Sequence, residues 1–205
     1  MIRSLIVTAT LLLCSFASAQ DTFQDVSTSS VRQLLSAGLS LPMGAFGDKT
    51  GTDAGAAKTG WTVNYTGVYA LPNDFAAVAS VHFAMNGFDT EGTGITEAGS
   101  YSSFAFIIGA GPDIKAGAAS VIVTPFVGLF SGSTPELKSP LLTVTSAGAR
   151  SITYGGAITV LQAPFGLSME YLIAKPEYTF ELTGFGSSKV KQPSNQFLLT
   201  VGYSW

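Results

Sequence analysis

Apolar and polar residues alternate at period two through most of this chain, and helical periodicity is weak. The end of the chain shows the pattern best. Phe197, Leu199, Val201, Tyr203 and Trp205 are large and apolar, while Leu198, Thr200, Gly202 and Ser204 between them are mostly small or polar. The preceding run repeats it, with Phe165, Leu167, Met169, Tyr171 and Ile173 set against Gly166, Ser168, Glu170, Leu172 and Ala174. Trp61, Val63, Tyr65 and Tyr69 alternate with Thr62, Asn64, Thr66 and Val68, and Ala79, Val81, Phe83 and Met85 with Ser80, His82, Ala84 and Asn86. Phe104, Phe106 and Ile108 form a fifth run, and Ile152, Tyr154, Ile158 and Val160 a sixth. Val31–Leu41 and Ser120–Phe130 complete eight strands. Each has about the 9–11 residues that a tilted strand needs to cross a bilayer.

The connections alternate in length. Turn residues fill 71–74, 113–116 and 162–164, whereas 42–59, 87–100, 131–147 and 177–193 are long and hold most of the acidic side chains. Short turns at one end and long loops at the other mark an outer-membrane barrel, with both termini on the short-turn, periplasmic side. The expected fold is all-β: an eight-stranded antiparallel up-and-down transmembrane β-barrel. A secreted soluble barrel of the lipocalin kind is the rival. Against it, the small and polar face carries almost no Lys or Glu, too little charge for a solvated skin. Aromatic residues also gather at strand ends (Trp61, Tyr69, Phe75, Phe165, Tyr203, Trp205), where interfacial girdles lie.

The first residues place the barrel in an export pathway. Arg3, an apolar stretch from Leu5 to Phe16 and Ala17-Ser18-Ala19 read as a signal peptide over 1–19, with Gln20 the first mature residue. Residues 20–29 then form a short periplasmic lead and 30–205 the barrel. The one cysteine, Cys14, lies in the apolar stretch and reads as filler. Only 11% of residues are charged and the net charge is −3, which excludes a basic nucleic-acid footprint. With one histidine and no mature cysteine, neither a disulfide nor a Cys/His zinc site is expected, and no cofactor is called for.

The first strand runs into Leu41-Pro42-Met43-Gly44-Ala45-Phe46-Gly47-Asp48, followed by a glycine-rich loop and an aromatic strand. This resembles the small outer-membrane β-barrel proteins of the OmpA/OmpX-like superfamily. The resemblance implies the barrel fold and a cell outer membrane of Gram-negative type, with lipid and lipopolysaccharide around the barrel. The C-terminal alternation of Phe197, Leu199, Val201, Tyr203 and Trp205 is similar to the signal read by the barrel-assembly machinery, although most members end in Phe. The superfamily includes adhesins, envelope proteins, narrow pores and a few enzymes, so the resemblance does not set the task.

The lumen chemistry is sparse. His82 and Glu170 point inward from the third and seventh strands, which are roughly opposite, and Arg32, inward near the periplasmic end, is a further partner for the carboxylate. A polar plug is one reading and a proton-sensitive gate another; no Ser/His/acid spacing marks a catalytic triad. Gly109-Ala110-Gly111 reads as strand and turn glycine, not a dinucleotide site. Asn64-Tyr65-Thr66 matches a glycosylation pattern but falls in a membrane strand.

The loops carry more. Tyr178, Phe180 and Leu182 continue the seventh strand past the membrane, Phe185 lies beyond them, and Leu141–Thr145 extends the sixth. Such segments would either protrude as ribbons whose exposed strand edges recruit an extracellular protein partner, or fold over the barrel mouth as ordinary loop structure. The leading expectation is therefore a non-enzymatic surface or envelope protein that binds partners through its loops. A narrow porin-like channel or small-solute carrier is second, on the strength of a small inward face at Gly38, Ser40, Thr66, Ala84, Gly109 and Gly156; a lipid-modifying enzyme centred on His82 is third. Asp48, Asp53, Asp89, Glu91 and Glu97 would hold divalent cations that bridge lipopolysaccharide, or be simply solvated.

Overall fold

A strand in lipid must find every backbone partner within the sheet, so a spanning sheet has to close on itself. The computed structural model of the chain shows that closure and describes residues 31–51, 53–140, 143–183 and 186–205. The signal peptide and lead expected over 1–29, Cys14, Leu141, Leu142 and Phe185 lie outside the described residues. In chain order the strands are β1 (Val31–Pro42), β2 (Ala57–Leu71), β3 (Phe75–Phe88), β4 (Glu97–Ala98), β5 (Ser100–Ala116), β6 (Ala119–Ser133) and β7 (Leu137–Lys138). Then follow β8 (Thr143–Ser146), β9 (Ala149–Gln162), β10 (Phe165–Ala174), β11 (Glu177–Leu182), β12 (Gly186–Lys191) and β13 (Gln196–Ser204).

Eight of these, taken as β1-β2-β3-β5-β6-β9-β10-β13, form a closed antiparallel barrel in up-and-down order. The seam pairs β1 with β13 from Leu34 opposite Ser204 to Pro42 opposite Gln196. The other five make a second sheet at the long-loop end, in the order β12-β11-β8-β7-β4. Among the described residues no helix is long and apolar enough to cross a membrane; the strands do the crossing.

The two faces follow the alternation. Leu35, Leu39, Trp61, Val63, Val127, Leu129, Tyr154 and Val201 point outward and are exposed, and Ile152 and Phe165 reach 68%. In water such a belt would be untenable; in hydrocarbon it is the favourable surface. Tyr69, Phe75, Phe165, Tyr203 and Trp205 ring the tight-turn end, with Tyr203 and Trp205 stacked at 5.8 Å.

Several details differ from the sequence reading. The barrel strands run from 9 to 17 residues, so some project beyond the bilayer. The second tight turn is Gly117–Ala118, not 113–116: Gly117 takes φ +62°, which favours glycine, and β5 continues through Ala116. At the first turn the three residues Pro72–Asp74 join Leu71 to its partner Phe75, and Asn73 and Asp74 both take positive φ, 62° and 56°, a region that Asn and Asp tolerate. Gly156 faces outward rather than into the lumen, because the inward set on β9 is Thr153, Ala157 and Thr159.

Candidate functional site: a filled lumen beneath a surface sheet

The lumen is stacked in layers. At the tight-turn mouth Asp113 receives hydrogen bonds from Arg32, Lys115 and Ser120. Above it Leu34, Val68, Ala76, Val78, Ile122 and Leu161 form an apolar plug. Next come Ser36 on Thr200 at 3.0 Å and Ser80 on Thr66 at 2.8 Å. Higher still, Ser40 bonds to Asn86 at 3.0 Å, and Gln196 donates to Ser103 at 3.2 Å.

Mid-barrel, β3 and β10 stand diametrically opposite, and their inward residues His82 and Glu170 meet across the lumen, both 2% exposed. Asn64 Nδ2 donates to Glu170 Oε1 at 3.1 Å, Ser168 Oγ donates to the same oxygen at 2.9 Å, and Thr62 Oγ1 donates to Asn64 Oδ1 at 2.9 Å. His82 Nε2 lies 3.2 Å from Glu170 Oε2, but neither ring nitrogen nor that oxygen makes a hydrogen bond within the protein. The pair is close without being well aligned. The residues that short side chains leave room for are thus polar, and they hold one another.

The structure brings His82 and Glu170 together but not Arg32. Arg32 sits at the mouth and pairs with Asp113, a residue that the sequence reading placed in a turn and so missed. Asn64, met as a glycosylation pattern, is a lumen residue 1% exposed. Two shallow clefts of about 240 and 260 Å³ indent the opposite mouths and share no lining residue.

The long-loop mouth is capped. Phe46 packs edge-on against Tyr101 at 5.0 Å, Phe88 lies 6.4 Å from the same ring, and Tyr101 Oη donates to Gly55 O at 2.6 Å. Here the ribbon expectation needs correction. The seventh strand is interrupted at Lys175–Pro176, so β11 is a separate strand that belongs to the second sheet and not to the barrel. Tyr178 is 1% exposed and hydrogen-bonded to Ser194, and burial pushes its phenol above the ordinary value. Phe180 and Leu182 are half-buried on the same face. Thr143–Ser146 is likewise not an extension of β9; it pairs with β11.

Three of the loop carboxylates, Asp89, Glu91 and Glu97, are paired with lysines. Lys49 Nζ lies 2.8 Å from Asp89 and 3.2 Å from Glu91, Lys58 Nζ 3.3 Å from Asp89, and Lys138 Nζ 3.6 Å from Glu97. The Lys49 ammonium, then the Glu91 amide, hold the Asp89 carboxyl down at about 2. Among the described residues no three His, Cys, Asp or Glu side chains assemble around a metal-sized site.

An apolar exterior, a hydrogen-bonded polar interior, closure without an edge, and turns short at one end and long at the other define an integral β-barrel of the bacterial outer membrane. Solved structures share this fold. Ail, the attachment invasion locus protein of Yersinia pestis, matches with a TM-score of 0.52 at 18% identity, over 86% of this chain and 100% of that one. Ail in complex with the heparin analogue sucrose octasulfate matches with a TM-score of 0.50 at 16% identity, over 86% and 100%. No family model and no curated protein sequence matches the chain.

Proposed function

We infer that this barrel is a non-enzymatic surface-binding protein, an anchor that presents its second sheet to extracellular partners. The observation that carries the reading is the five-stranded sheet above the mouth, whose outer strands, β12 on one side and β4 on the other, each have one edge unpaired among the described residues. Open edges recruit extended segments of other chains, whereas the barrel below has no edge to offer. The attachment protein Ail, built on the same fold, supports the reading.

Two alternatives fit less well. A channel needs a continuous polar path, and the lumen is crossed by the Leu34–Ile122–Leu161 plug and by the His82–Glu170 layer. A lipid-modifying enzyme needs its base within reach of substrate. His82 is sealed mid-lumen, and Ser168 bonds to Glu170 rather than to the imidazole.

The test is adherence. Bacteria displaying the full chain should bind cultured epithelial monolayers, and replacing 177–191 by a short turn should abolish the gain while the heat-modifiable barrel persists. Adherence that is equal with and without the protein, together with reproducible conductance steps in planar bilayers, would overturn the reading in favour of a channel.

A further inference from the structure

The edge strand β12 reads Gly186-Ser187-Ser188-Lys189-Val190-Lys191, and among the described residues only β11 pairs with it. Its register sorts the hairpin into two faces. Lys191 lies opposite Glu177, Lys189 opposite Thr179 and Ser187 opposite Glu181; Val190 lies opposite Tyr178 and Ser188 opposite Phe180. Burial of Tyr178 turns the second face toward the mouth, so the first faces solvent. The Lys189 side chain is 71% exposed, and its distance of 3.8 Å to Glu177 makes an ion pair of little weight in water. Two ammonium groups therefore recur at two-residue spacing beside a row of free backbone donors and acceptors.

That pattern discriminates between neighbours. A second copy adding antiparallel through β12, centred on Val190, would set Lys189 against Lys191, and like charges directly opposite destabilise a strand pair. The edge is thus protected from itself. A strand carrying carboxylates at alternate positions meets opposite charge on the solvent face, and its intervening apolar residues continue the face of Val190 and Tyr178. We propose that β12 captures an extended acidic segment of a partner protein by strand addition, with Lys189 and Lys191 reading Glu or Asp at alternate positions. This rests on the surface-binding reading above and adds the charge pattern of the partner. Main-chain hydrogen bonds supply affinity and the lysines supply selectivity.

The test uses the full chain in phosphatidylcholine nanodiscs and fluorescent heptapeptides, read by anisotropy at low salt. The probes are Thr-Glu-Val-Glu-Val-Glu-Thr and its counterpart with Lys in place of Glu. The acidic peptide should bind about tenfold more tightly, and the double substitution Lys189→Glu, Lys191→Glu should invert the preference. Peptides N-methylated at alternate residues in each of the two phases leave the protein untouched. Strand addition requires that one phase loses binding and the other keeps it. Equal binding of acidic and basic peptides would overturn the charge assignment and leave the surface reading to its adherence assay. Equal binding of both methylated phases would overturn strand addition and make the edge a polyanion site. No binding of any peptide at millimolar concentration, with adherence intact, would overturn the proposal alone.

Discussion

The barrel and the sheet above it are built from the same kind of strand, yet they solve opposite problems. Each barrel strand has a partner on both sides, and its inward side chains are tied across the lumen. In the upper sheet the strands are 2 to 6 residues long, and among the described residues both outer edges are free. Lipid forbids an unpaired amide, whereas water tolerates one. The difference teaches that the closed part is where backbone pairing is complete, and that the open part, on which the surface-binding proposal rests, is where it is not.

The largest expected effect is on closure. Gly60 sits at a register shift between β2 and β3, where a Cβ would meet Met85 O at 1.7 Å. Gly60→Val should cost at least about 4 kcal/mol or prevent folding, seen as loss of the heat-modifiable band in detergent. Next is the mid-lumen layer. Glu170→Leu strands the donors of Asn64 and Ser168 and should cost about 2–4 kcal/mol in guanidinium unfolding. His82→Leu removes a ring that makes no hydrogen bond within the protein and should cost about 1 kcal/mol or less. A His82 variant as damaging as the Glu170 variant would show that the imidazole, not the carboxylate, organises the layer.

Tyr178→Ala should act on the upper sheet alone. Removal of this buried ring should speed hydrogen exchange in β8 and β11 by an amount equivalent to about 3 kcal/mol, with the barrel midpoint unchanged. A lowered barrel midpoint would dissolve the distinction between the two regions.

The smallest effect is the pH response of the loop brace. Asp89 is depressed to about 2 from an ordinary 3.8, so its contribution is present above 3.8 and is lost as pH falls through about 2. Lys49, paired first with Asp89, is raised above 10.5, so its contribution is present below 10.5 and is lost at higher pH. Exchange in the 48–58 and 89–93 loops should therefore be flat between those limits and should loosen only outside them, while the barrel does not respond. A transition near neutral pH would contradict the brace.

What was legible in the sequence follows from period two. Once Phe165, Leu167 and Tyr171 are read as one face, Ser168 and Glu170 must occupy the other, and the pairing of His82 with Glu170 across the lumen follows from strand count. The Arg32–Asp113 pair was not legible, because it depends on β5 running past Asp113 to a turn at Gly117. The fate of Tyr178 was not legible either. Alternation gives its face but not whether that face meets solvent or the mouth of the barrel.

By itself the sequence determined the eight spanning strands, most of their faces and the closure, because a lipid-exposed backbone permits only a sheet without edges. Tertiary structure decided which lumen side chains pair, how the mouth is capped, and that β11 and β12 form an open sheet. Those outcomes depend on register and on loop paths, and both arise from contacts between residues far apart in the chain.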